Sequence, residues 1–471
     1  MYLMALGNID YIVITILFAI IFVIAYLFRH QNRTAGLFIY GGNDEMSFKP
    51  TRSLIGCGVI ELVLCGVIGA IYGVSGIYYI TLAILLGYFL SLYVARVIYP
   101  NSLFDYIGNV IGPKTQAIFA AFSILVLLFL AITTTVFTFK LFQPILGWNF
   151  VNSVFGITGL TLIYILTGGS KAVKYNTLVS AAIVFLVFLL IVVLGGLSLG
   201  GLSGVLANLH DLAVKKGSAY NYYTGFNINA SILCQIVLAG LFLTMASFLG
   251  ETKQPYKKNM NDSNHIIKIM PLWLIVMSGI IAIATPINKN NVGDNQVVTI
   301  QAQLPDGQTG YVVKTISNSK TTRSEITTGI IPPLLNPNTN LIEPGNYNYM
   351  LASAVALKHY LPKYLSVMLV LVILSSFMFA LALYLLGISK LVVFDVYTKL
   401  GWLYTYGEAG SIWLTRMTII VAGGISLFGG YFATPYLGLT ELLYIAGGFA
   451  VVFCLFVLFI VTYYGRQTQK K

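Results

Sequence analysis

Apolar residues run through this chain in stretches long enough to cross a bilayer, separated by short polar joints. A hydrocarbon core about 30 Å thick needs ~20 residues of helix. That rule marks about eleven spans, at 10–28, 54–76, 77–98, 116–139, 153–168, 174–200, 229–249, 265–286, 363–388, 411–433 and 437–463. The pattern predicts an all-α polytopic membrane protein, with a tight joint at Gly76. One long polar interval, 288–362, interrupts it. There Gln296–Leu304 and Gly310–Ile316 are strand-like and flank the turn signal Pro305-Asp306-Gly307, which predicts a β-hairpin. Tyr347–Tyr360 then predicts a short amphipathic helix, which either covers an outer vestibule or simply packs on the bundle.

The polar joints carry a charge rhythm. Arg29, Arg33, Lys49, Arg52, Arg96, Lys114, Lys171, Lys174, Lys253, Lys257, Lys258, Lys390, Lys399, Arg466, Lys470 and Lys471 fall in alternate joints. The other joints hold little beyond Lys140, Lys215 and Lys216. The positive-inside rule then places the N-terminus outside and the C-terminus in the cytoplasm of a plasma-membrane protein. An odd number of spans requires the same arrangement.

Composition narrows the function. The chain is 58% hydrophobic and 9% charged, against about 25% charged in soluble domains. The net charge of +12 is spread over loops with no basic–aromatic platform, which argues against nucleic acid. Cys57, Cys65, Cys234 and Cys454 all lie in apolar spans without zinc spacing and read as packing residues. His30, His210, His265 and His359 sit in loops or at span ends. No phosphate-binding loop or catalytic cluster accompanies them, so neither an enzyme nor an ATP-driven pump is expected, and no organic cofactor.

Two carboxylates lie inside apolar spans, Glu61 and Glu441. An ionised side chain at mid-bilayer costs roughly 2.5–3.5 kcal/mol on insertion scales, so such a group is neutral, paired or facing water. Glu61 therefore marks a working site, unless it lies near a helix end and snorkels. Glu441 begins its span and reads as a helix N-cap. Lys390 and Arg416, at span ends, read as snorkelling residues.

Four separated stretches resemble the sodium/solute symporter family: Asn101–Ile107, Thr167–Tyr175 (Thr-Gly-Gly-Ser-Lys-Ala-Val-Lys-Tyr), Gly250-Glu251-Thr252-Lys253, and Leu386–Tyr397 ending in Phe-Asp-Val-Tyr. Their order over about 400 residues carries the likeness. It implies a LeuT-like fold, five helices repeated in inverted orientation (54–200 and 229–463) plus an N-terminal helix. Residues 1–53 would hold that helix and a loop, 201–228 an outer loop, 288–362 an extracellular insertion and 464–471 a tail. In such folds the first helix of each repeat is broken near the midplane and holds ion and substrate. The glycine-rich half of 54–76 fits either a break or close packing. Asn229–Phe248 is its counterpart. Gly66, Gly69, Tyr72 and Gln235 become the candidate substrate residues.

The resemblance also implies a sodium site of backbone carbonyls near Val59 and Leu62 and two adjacent hydroxyls on the eighth core helix. Aligned without gaps from Asp395, those positions are Phe379 and Ala380, which offer no oxygen. Ser375 and Ser376 stand one turn earlier, where a small shift would restore a pair. On the fifth core helix Thr177 replaces the usual Asp, and Ser180 the usual Gln. The candidate ion-coupling residues are thus Glu61, Ser375, Ser376 and Thr177, with Na+ or H+ as the ion. Together these imply a symporter of a small polar organic solute in contact with membrane lipid. The alternatives are a sensor or scaffold that kept the fold without transport and, last, a membrane enzyme. Substrate identity and oligomeric state are not written in the sequence.

Overall fold

The computed structural model describes residues 7–40, 57–98, 102–216, 225, 228, 230–249, 264–285, 296–303, 309–316, 331, 333–335, 342–362, 365, 367–399 and 407–468. Hydrocarbon cannot hydrogen-bond the backbone, so apolar spans close their own N–H and C=O groups as helices. The helices are α1 Asn8–Phe28, α2 Ala35–Tyr40, α3 Val59–Tyr72, α4 Ser75–Ile98, α5 Leu103–Val110, α6 Pro113–Leu146, α7 Gly156–Ser198, α8 Gly201–Lys216, α9 Ala230–Leu249, α10 Asn264–Ala284, α11 Ala352–Tyr360, α12 Val367–Lys390, α13 Gly407–Ala433 and α14 Leu439–Thr468. Wider π turns precede α7 (Val151–Phe155) and follow α12 (Leu391–Tyr397).

Among the described residues, seven segments are long and apolar enough to cross a membrane and three shorter ones are equally apolar. One of the seven, Val151–Ser198, is bent in the middle at Gly169. Counting its two limbs separately gives eleven apolar helices.

The strands β1 Gln296–Gln303, β2 Thr309–Ile316, β3 Pro333–Leu335 and β4 Ile342–Tyr347 form one sheet in the order β1-β2-β4-β3. β1 and β2 pair antiparallel, with Gln296 opposite Ile316 and Gln303 opposite Thr309. The turn residues Pro305-Asp306-Gly307, and the Gly250–Lys253 stretch, lie outside the described residues.

α12 is the axis of the bundle. Its apolar window is 89% buried, against 17% for α1. A helix hydrophobic all round is surrounded by protein; one buried on a narrow stripe faces lipid. α7 packs on α12 and α1 on α7, while α3 packs on α10 and α9 on α4. Four threonines on α6 fold back on their own helix, Thr133 to Phe129, Thr134 to Leu130, Thr135 to Ile132 and Thr138 to Thr134. Their donors are thereby satisfied inside the bundle.

Two joints depend on glycine. The turn between α3 and α4 is made at Gly73 (φ 54°), not at Gly76, which packs against Ile68. At Gly169 (φ 58°) the chain turns without a loop, and the space for a side chain is filled by the Asn32 amide and the Phe38 carbonyl. Asn32 Nδ2 donates to the Thr167 carbonyl at 2.8 Å. The Gly168-Gly169 pair of the family-like stretch is thus a joint clasped by the segment after α1.

α11 is buried along most of its length on α10, α3 and α7. Ser278 donates to Ser353 at 2.8 Å, and Thr285 and Tyr360 share a hydroxyl contact of 2.5 Å.

Candidate functional site: the seam between α3 and α12

α3 begins at Gly58, whose extended backbone (φ −78°, ψ 168°) stops helix on its N-terminal side. Glu61 occupies the third helical position, and its Oε2 accepts the Gly58 N–H at 3.0 Å. A carboxylate there meets both an unsatisfied N–H and the positive end of the helix dipole. The first helical turn of 54–76 is therefore the irregular point. Its glycine-rich half is continuous helix.

Gly58 lies against Ala380: a Cβ on the glycine would stand 3.0 Å from the alanine Cβ. Ala380 is near the middle of the 24-residue α12, so the N-terminal end of α3 lies at mid-height in the bundle. Ala380, which has no hydroxyl, faces the start of α3, and Ser375 and Ser376 stand about one turn earlier on α12. Ser375 donates to the Val372 carbonyl at 3.2 Å, and the buried Ser376 hydroxyl meets no partner among the described residues. Sodium, like other hard cations, takes oxygen ligands. The Phe379–Ala380 pair supplies no side-chain oxygen where the family pattern puts one.

Thr177 is spent on its own helix, donating to the Val173 carbonyl at 2.7 Å. Beside it, the side chains of Asn176 and Ser180 are buried without a hydrogen-bond partner among the described residues. With Ser375 and Phe379 they line a narrow crevice between α1, α7 and α12. Val59 and Leu62 are buried in the core.

The expected substrate residues separate into two groups. Gly66 and Gly69 are used for close packing: side chains there would overlap Ser353 and the Val276 carbonyl. α9 is continuous from Ala230 to Leu249, with no break, and Gly240 packs against Leu86 of α4. α3 and α9 do meet at one point, where the Tyr72 hydroxyl donates to Gln235 Oε1 at 3.0 Å. That pair is eleven residues from Glu61, about 16 Å at 1.5 Å per residue.

Lys390 does not snorkel. It is buried, with Nζ 5.8 Å from the Phe104 ring. Buried Asp395 accepts Gln116 Nε2 at 2.9 Å, which ties α6 to the turn after α12. Glu441 lies in the first turn of α14, with its carboxylate over Gly438. Lys140 reaches the Leu437 carbonyl at 2.6 Å.

The family model described as "SSF: Sodium:solute symporter family" matches residues 38–307, more than half of the chain. The chain belongs to the sodium:solute symporter family. A 125-residue stretch of this symporter-family chain is 32% identical to the mouse (Mus musculus) sodium/myo-inositol cotransporter, and 30% identical to the human (Homo sapiens) protein of that name. The match spans 26% of this chain and only 17% of the length of those relatives. A Na+-coupled sialic acid symporter, solved substrate-bound and outward-open, superposes with a TM-score of 0.65 at 16% identity, covering 96% of this chain and 87% of that one. That likeness shows a LeuT-like fold.

Proposed function

We propose that this symporter-family chain is a secondary active transporter of a small polar organic solute, working by alternating access, with a proton carried on Glu61 as the coupling ion. The observation that carries the reading is the Gly58–Ala380 contact. Ala380 brings no side-chain oxygen to the start of α3, which supports Glu61 as the group that serves the ion there. In this reading 54–200 and 229–463 are the two repeats, the N-terminus is outside, and the membrane is the plasma membrane. Tyr72 and Gln235 contact the solute near one mouth of the path, and no step is catalytic.

Sodium coupling is the second reading. Family membership favours it, as does the Na+-coupled protein that shares the fold. In that case Glu61, Ser375, Ser376 and Thr177 remain the candidates to serve the ion. Proteoliposomes holding the full chain decide between them. Uptake of a panel of polyols, sugars, amino acids and carboxylates, beginning with myo-inositol and sialic acid, is measured under a pH gradient and under a sodium gradient. Proton coupling predicts accumulation driven by the pH gradient alone and lost in Glu61→Gln. Accumulation driven only by sodium, or full activity of Glu61→Gln, overturns it.

A further inference from the structure

Asn176 and Ser180 stand one turn apart on the second limb of α7 and so share a face. Both line the crevice between α1, α7 and α12, and both are more than nine-tenths buried. The Asn176 amide oxygen, its amide nitrogen and the Ser180 hydroxyl all lack a hydrogen-bond partner among the described residues. Ser375 lines the same crevice from α12. It gives its proton to the Val372 carbonyl at 3.2 Å, which leaves its oxygen able to accept. Buried Leu17 and Ile21 supply an apolar cover from α1. The crevice has room for about one water molecule. We propose that it is a binding site for a single ordered water, which bridges Asn176 and Ser180 of α7 to Ser375 of α12.

The donors and acceptors select the occupant. Asn176 presents an acceptor oxygen and donor hydrogens to one small space. A cation suits the oxygen and is repelled by the amide hydrogens; an anion meets the reverse. No Asp, Glu, Lys, Arg or His lines the crevice, so neither charge is compensated, and an uncompensated charge is costly to bury. A hard cation also asks for about six oxygens, more than one amide and two serines provide. Water donates and accepts together, and a buried water typically makes about three hydrogen bonds. It relieves the desolvation cost of the amide and the hydroxyl without bringing a charge.

The site is independent of which ion couples transport. It takes Ser375 out of the set available to an ion. It also gives α7 and α12 a neutral link that persists while the ion binds and leaves. The N-terminal helix α1 gains a task as well, since its apolar side chains separate this polar pocket from lipid.

X-ray radiolysis of the purified full-length protein, read by mass spectrometry, tests the proposal, because hydroxyl radicals formed from a held water oxidise the side chains around it. Met378 lines the crevice and is buried from solvent. In choline chloride its oxidation is expected to exceed severalfold that of Met245, which is buried on α9 and does not line the crevice. Asn176→Leu with Ser180→Ala removes the holding groups together, so that neither is left to bury alone. Oxidation of Met378 should then fall to the level of Met245. Equal oxidation of the two methionines in the parent chain overturns the proposal, as does undiminished oxidation of Met378 in the double variant. A drop in the parent when sodium chloride replaces choline chloride identifies a cation as the occupant and overturns it too. Ser180→Ala alone carries the comparison should the double variant not fold: it is expected to lower Met378 oxidation, and an unchanged level overturns the water site.

Discussion

The Gly69 Cα lies directly against the Val276 carbonyl, so that a methyl group on the glycine would overlap the oxygen. Gly279 makes the reciprocal approach to the Gly66 carbonyl. Small residues let two membrane helices come within backbone contact, where dispersion drives association. Gly69→Ala and Gly279→Ala should each push α3 from α10 and cost about 1–3 kcal/mol, the range for overpacking. Gly448→Ala, which meets nothing within 4 Å, should be neutral. Melting temperatures in detergent check the contrast, and equal melting of all three would contradict it.

Restoring oxygen at the start of α3 should restore a response to sodium. The double change Phe379→Ser with Ala380→Ser places one hydroxyl at the position facing Gly58 and a second beside it. Sodium chloride is expected to raise the melting temperature of the double variant above that in choline chloride, because a ligand that binds only the folded form stabilises it. The parent chain should show no such difference. Matched responses of parent and variant would count against the register drawn from the Gly58–Ala380 contact.

Tyr72 and Gln235 form the point where α3 meets α9. Tyr72→Phe and Gln235→Leu should each lose about 1 kcal/mol, and the double variant should lose no more than one of them, since both remove the same bond. A double-mutant cycle on thermal stability measures this. Additive losses would mean that the bond contributes nothing.

His359, on the outer turn of α11, sets a pH dependence. Crowding around it, including the Tyr360 ring at 4.8 Å, holds the imidazole below its ordinary value of 6.5. The unfolded segment then binds the proton more tightly than the docked one, so docking strengthens as pH rises. Its contribution is complete above about pH 6.5 and drains away as pH falls below that. The effect is small, because the ring keeps an open face to solvent. Lys358, also held below its usual value by burial, acts with the same sign in the alkaline range. The protection of 352–360 against hydrogen exchange, corrected for the intrinsic pH dependence of amide exchange, should fall on acidification in the parent chain and not in His359→Gln.

The helices were legible because hydropathy at membrane length admits few alternatives. Even the Gly168-Gly169 pair announced a joint. The placing of Glu61 at the broken start of a helix could be suspected. Its role as a cap on Gly58 could not, because extended backbone at residue 58 has no unique sequence mark. The glycines Gly66 and Gly69 misled for a related reason: glycine serves a helix break and a close crossing equally well, and only the partner helix tells which. Which α12 residues face α3 was hidden too, since Ser375–Ser376 and Phe379–Ala380 differ by a single turn. Lys390 looked like a residue reaching for water because its position along the chain, not its surroundings, was all that could be read.

The Asn32 clasp on Thr167 has a practical corollary. The amide comes from the stretch just after α1 and pins an elbow 135 positions downstream. Deleting the opening forty residues as a dispensable leader would therefore unpin the bend between the limbs of α7, and with it the helix that lies on α12. Trimming at that end should damage the heart of the bundle before it damages the rim.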